Sequence, residues 1–183
     1  MRIASVSSPE RGQTDRVLAE VATALLGKGL ELAGVVQTST DRPGRRHCDM
    51  DVMVLPAGPV LRINQLLGEG AQGCRLDPSA LETAVAQVEA MFSSKFDVLI
   101  INKFGKHEVE GRGFRGLIAE ALSRGIPVVI GVNVQNADAF ATFVDGCAEP
   151  LAANTSEIAD WCLSVVSRAP AQVPAPHLSR AAL

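Results

Sequence analysis

Two runs in this chain, DVLII at 97–101 and IPVVIGV at 126–132, are apolar almost throughout. A strand with one wet face alternates apolar and polar residues, so a run apolar on both faces belongs at the centre of a parallel sheet covered on both sides. Arg2 to Ser7 reads as a further short strand and LELAGVVQ (30–37) as another. Between strands the period changes to helical. Val17, Leu18, Val21, Ala22 and Leu25 form one stripe of a helix that starts at Thr14 and ends at Gly27 or Gly29. Asp77-Pro78 supplies an N-cap and a first-turn proline for a helix whose face is Leu81, Val85, Val88 and Phe92. A helix over Phe114 to Arg124 buries Leu117, Ile118, Ala121 and Leu122 and stops at Gly125. A short helix near 137–144 and a last helix near 155–167 follow, the latter with Asn154 and Glu157 at capping positions. DVMVLPAGPVLRIN (51–64) forms two strands around the turn Pro56-Ala57-Gly58-Pro59. The alternation predicts a three-layer α/β fold: a mostly parallel sheet, helices on both faces, and an antiparallel hairpin insertion.

The 183 residues are most simply one domain over 1–168, followed by a Pro/Ala-rich stretch at 169–183 with the composition of a disordered tail. Six Phe, one Trp and no Tyr leave the core to Val, Leu, Ile and Ala. A net charge of -3 without any block of like charge argues against a nucleic-acid surface. No stretch reaches the roughly 18 apolar residues of a membrane span, and the chain opens directly on a strand pattern, which makes a cytoplasmic location the expectation. The four cysteines, Cys48, Cys74, Cys147 and Cys162, contain no C-x-x-C pair and are expected as thiols.

Ligands of such sheets sit beyond the carboxyl ends of the strands, so the loops after Ser7, Gln37, Ile101 and Val132 should meet at one edge. The first of them reads SSPERGQT. Against the phosphate-loop pattern G-x-x-x-x-G-K-[ST], Gly12 and Thr14 match, whereas Ser7 stands for the first glycine and Gln13 for the lysine. A helix opening at Thr14 still presents backbone N–H groups and its positive dipole end to an anion, with Ser8, Arg11, Gly12 and Gln13 beside it. Loss of the lysine removes charge stabilisation of phosphoryl transfer more than it removes binding.

In P-loop proteins the strand beside the first one ends in an acidic residue that holds magnesium; here that position is Asn102, followed by Lys103. The loop NKFGKHEVEGRG (102–113) is cationic and glycine-rich instead, with Lys103, Gly105, Lys106, Arg112 and Arg115, while His107, Glu108 and Glu110 serve as acid/base groups or ion-pair partners. Cys48, Asp49, Asp51 and Cys74, with His47 and Asp77 near them, are metal-capable types at spacings that match no standard site. The plain alternatives are a helix cap at Thr14, a self-paired surface loop, and buried small cysteines.

The strings HCDMD, INQLLGEGAQGCRLDPSAL, LIINKFGKHEVEGRGFRGLIAEAL and GIPVVIGV together resemble a bacterial family catalogued as a domain of unknown function. Some of its members carry names tied to molybdenum transport or molybdenum enzymes. The likeness covers about residues 1–165. More distantly, the layout is similar to small thermophile-type nucleoside-triphosphatases of the P-loop class. In those, a phosphate loop, a hairpin region and a strand ending in an acidic-x-x-Gly-Lys-x-Glu-like segment occur in this order. On that comparison Asn102 and Lys103 replace two acidic residues, and Gly105, Lys106 and Glu108 stand at matching places. The resemblance implies a P-loop-NTPase-like fold.

Three readings follow. The first is a nucleotide- or oxyanion-binding accessory protein with a degenerate P-loop and little or no hydrolysis, taking ATP or GTP with magnesium, or molybdate if the family naming is informative. In that reading Glu108 orients a water or pairs with a lysine. The second is an active nucleoside-triphosphatase in which Lys103 or Lys106 replaces the loop lysine and Asp49 or Asp51 supplies the metal carboxylate. The third is a metal- or thiol-based interaction protein using Cys48 and Cys74. The partner in the first two is a small anion, with no membrane and no nucleic acid; a homodimer stays open, although no heptad or patch argues for it.

Overall fold

In a computed structural model describing residues 2–40, 49–65 and 76–167, the two apolar runs lie side by side as parallel strands at the middle of a seven-stranded sheet. The strands are β1 (Ile3–Val6), β2 (Leu32–Thr40), β3 (Asp49–Val54), β4 (Val60–Arg62), β5 (Val98–Phe104), β6 (Val128–Val132) and β7 (Glu149–Leu151). Their order is β4-β3-β2-β5-β6-β1-β7. β2, β5, β6, β1 and β7 run parallel, while β3 and β4 add the expected antiparallel hairpin around Pro56–Pro59.

The helices are α1 (Gln13–Gly27), α2 (Pro78–Ala90), the single turn α3 (Lys106–Val109), α4 (Arg115–Ser123), α5 (Ala137–Phe143) and α6 (Thr155–Ser167). Alternate residues of each strand face opposite layers, which builds two cores. Leu99, Ile101, Val128 and Ile130 pack beneath α2, α4 and α5. Val98, Ile100, Ala4, Val6 and Val129 pack beneath the Leu18–Ala22–Leu25 stripe of α1 and Ile158 and Cys162 of α6. The three-layer α/β architecture is therefore present. Asp77 caps α2 by accepting N–H bonds from Ser79 (2.9 Å) and Ala80 (3.3 Å), and Asn154 caps α6 through the Glu157 N–H at 3.0 Å.

Four features differ from the sequence reading. β5 is not the neighbour of β1, because β6 lies between them. β5 runs to Phe104 rather than ending at Ile101, because Phe104 is buried and pairs with Val132. The segment 102–113 is thus half strand and half helical turn. β2 extends to Thr40 where β3 pairs with it. The short edge strand β7 was not foreseen: three residues that include Pro150 carry no period, and an edge tolerates the missing N–H. Among the described residues no helix is long and apolar enough to cross a membrane. The stretch 169–183 lies outside the described residues, as do His47, Cys48 and Cys74.

Candidate functional site

The carboxyl ends of the parallel strands bring the first loop and the end of β5 to one edge. Gly12 enters α1 with φ 78° and ψ -8°, a left-handed conformation that glycine adopts without steric cost. Its carbonyl accepts the Arg16 N–H at 3.1 Å, and the Gln13 N–H turns back to the Glu10 carbonyl at 3.3 Å. The Ser8 hydroxyl donates to Gln13 Oε1 and accepts the Glu10 N–H at 3.1 Å, so the side chain at the lysine position closes the loop on itself. Among the described residues the N–H groups of Gly12, Thr14 and Asp15 have no acceptor, as expected for the first turn of a helix. Arg11 is exposed beside them.

The residue that organises the site is Asp15, which the sequence reading did not single out. Its side chain is only 10% exposed, and it accepts four contacts. Asn102 Nδ2 donates to Oδ1 at 3.0 Å, Lys103 Nζ lies 3.1 Å from Oδ1 and 3.2 Å from Oδ2, and Gln37 Nε2 lies 3.5 Å from Oδ2. Asn102 uses its other end as well, accepting the Gln37 N–H on Oδ1 at 2.9 Å. The signal in the sequence was a carboxylate on an apolar stripe: Asp15 stands three residues before Leu18 on the face that α1 buries.

Consecutive strand residues ordinarily point to opposite faces, yet Asn102 and Lys103 both reach Asp15. A bulge explains this. Ile101 pairs with Ile130 and Phe104 with Val132, so 102 and 103 together oppose Gly131 of β6. A Cβ on Gly131 would fall 2.1 Å from the Asn102 carbonyl oxygen and 3.1 Å from the Thr14 methyl. Glycine there lets bulge, β6 and helix start close on one another.

The remaining predicted residues are engaged elsewhere. Glu108 is buried and braces its own loop, its Oε2 accepting the Gly105 N–H at 2.8 Å and its Oε1 the Phe114 N–H at 3.0 Å. Glu110 pairs with Lys106 at 3.6 Å and with Arg112, whose hydrogen bond, with help from Lys106, holds the Glu110 carboxyl below its usual range. Asp49 and Asp51 both pair with Arg62, at 3.0 Å each. Among the described residues no three His, Cys, Asp or Glu side chains cluster as metal ligands, and Cys48 and Cys74 fall outside those residues. On the α5 side of the sheet a cavity of about 280 Å³ opens next to the first loop, lined by Ser5, Ser7, Val132, Val134, Phe140 and Pro150 among others.

Residues 3–161 match the family model described as "Protein of unknown function (DUF2478)". The chain is 31% identical over 167 residues to the molybdenum import ATP-binding protein ModC 2 of Bradyrhizobium diazoefficiens, a stretch covering 91% of this chain and 19% of that protein. The chain thus spans about a fifth of the length of this curated relative. The solution structure of a human cancer-related nucleoside triphosphatase superposes with a TM-score of 0.63 at 16% identity, covering 91% of this chain and 96% of that one. The crystal structure of THEP1 from the hyperthermophile Aquifex aeolicus gives 0.56 at 16% identity, covering 92% and 100%. These two likenesses show the fold.

Proposed function

The chain belongs to the DUF2478 family, and from that premise we propose that it binds a nucleotide, or another small oxyanion, at the carboxyl edge of its sheet, with little or no hydrolysis. The observation that carries this reading is the pairing of an uncapped helix start with a fixed cation. The N–H groups of Gly12, Thr14 and Asp15 have no acceptor among the described residues, and Lys103 is anchored to the same helical turn at 3.1 Å from Asp15. A phosphate there would accept those N–H groups and draw on the ammonium.

The fold family implies magnesium as the partner of a bound nucleotide. The residues present do not fit it. Asn102 has its oxygen on the Gln37 N–H and its amide on Asp15, and both Asp15 oxygens already accept from Asn102, Lys103 or Gln37. Glu108, locked in its loop, acts as a brace rather than as a base. Both features support binding without turnover.

The relative's name supports ATP as the ligand. Because the matched stretch is one part of a long molybdenum-import protein, it also supports an accessory role near molybdate handling in the cytoplasm. A calorimetric screen of ATP, GTP, phosphate, molybdate and tungstate, paired with a phosphate-release assay, tests the reading. Saturable binding with negligible release is the expected result. Binding of none of the five removes the proposal, and sustained release abolished by Lys106→Ala or Lys103→Met replaces it with an active triphosphatase.

A further inference from the structure

Sequence comparison suggests a site that has lost both of its charges, the lysine of the loop and the acid of the strand. The structure shows both charges present with their positions exchanged. The carboxylate is on α1, at Asp15, and the ammonium is on the strand, at Lys103, 3.1 Å apart. We propose that Lys103 is the resident cation of this site, standing in for the divalent metal, so that the protein binds a phosphate-bearing ligand without any metal ion. This inference rests on the anion-binding reading above and deepens it by naming the charge state of the ligand: free nucleotide rather than its magnesium complex.

Three observations carry the inference. The bulge at 102–103 turns Lys103 to the α1 side, where a regular strand would send it to the opposite face. Asp15 grips the ammonium with both oxygens, yet the Lys103 side chain stays 45% exposed, leaving at least one of its three N–H bonds for a ligand. The acceptors that would bind a metal are spent, Asn102 Oδ1 on the Gln37 backbone and Asp15 on Asn102, Lys103 and Gln37. A divalent ion would have to displace Lys103 to reach Asp15, exchanging one positive partner for another. Asp15 is therefore a positioning residue, and Lys103 the group that touches the ligand.

The test is titration calorimetry with ATP, in EDTA and in magnesium, on the wild type, Lys103→Met and Lys103→Arg. The wild type is expected to bind equally in the two buffers, within about threefold. Lys103→Met should lose roughly tenfold or more in EDTA. It should recover in magnesium, because removing the ammonium frees the Asp15 carboxylate to ligate the ion; a merely structural lysine would give no such metal rescue. Lys103→Arg keeps the charge and should keep metal-free binding, which also controls for any folding defect of the methionine variant. Wild-type binding in magnesium only overturns this inference and leaves the anion reading standing, whereas binding in neither buffer removes both. Full binding by Lys103→Met in EDTA, or loss by Lys103→Arg, also overturns it.

Discussion

Asp15, Asn102 and Lys103 show how one buried carboxylate sets the duties of its neighbours. Asn102 is spent as a bracket, its amide donating to Asp15 and its oxygen accepting the Gln37 N–H, and so is not free for a metal. Glu108 is used in the same way, and Gly113 matches it: a Cβ there would meet Glu108 Oε1 at 2.3 Å. Burial also decides thiol chemistry. Cys162, on the buried face of α6, has its thiol pushed up to about 12 by desolvation, while Cys147 is exposed. At pH 8.5 a thiol reagent should therefore modify Cys147 in the native protein and reach Cys162 only after unfolding, as read by peptide mass mapping. Equal native labelling of both would contradict the packing. Because the folded value lies above that of an unfolded thiol, about 8.5, the contribution of Cys162 to stability is complete below that pH and declines as pH rises toward about 12.

At the scale of elements, the site depends on how closely α1 approaches the bulge of β5 across β6. Gly131 is the contact point, and Gly131→Ala would place a methyl against the Asn102 carbonyl oxygen, a backbone atom that cannot swing aside. The expected cost is roughly 1–3 kcal/mol, measured as a lower urea midpoint, together with weaker ATP binding because the Asp15–Lys103 contact opens. A variant with wild-type stability and binding would mean that the close approach has no consequence. Residue types also show why this junction was hard to read in the sequence. Helical spacing from Val17 to Leu25 and the runs at 97–101 and 126–132 state their elements through local periodicity. A bulge is defined only by the strand opposite, so nothing in NKF could announce that Phe104 would pair with Val132 while Asn102 and Lys103 turned together. β7 escaped for a related reason, since its three residues exist as a strand only because β1 offers them an edge.

For the whole molecule, the two cores share one sheet. β5 sends Leu99 and Ile101 to one face and Val98 and Ile100 to the other, so neither layer can leave without exposing strands the other needs. Unfolding in urea should therefore be a single transition. Emission of Trp161, on α6 with its indole N–H donating to Glu149 at 2.7 Å, should follow the far-UV circular dichroism of the sheet and all helices. A Trp161 transition at distinctly lower urea would show the α1–α6 layer detaching by itself.

By itself the order of residues determined the α/β class, the succession of helices and strands apart from β7 and the turn α3, the hairpin after β2, and the caps at Asp77 and Asn154. Each of these follows from spacing or from chemistry between residues near one another in the chain. The tertiary structure alone decided that β6 separates β1 from β5, that Glu108 braces a loop, and that Asp15 holds Lys103 across 88 positions of sequence. Those outcomes depend on which surfaces the packed sheet brings within about 3 Å of one another, a distance over which charges pair and along-chain periodicity carries no information.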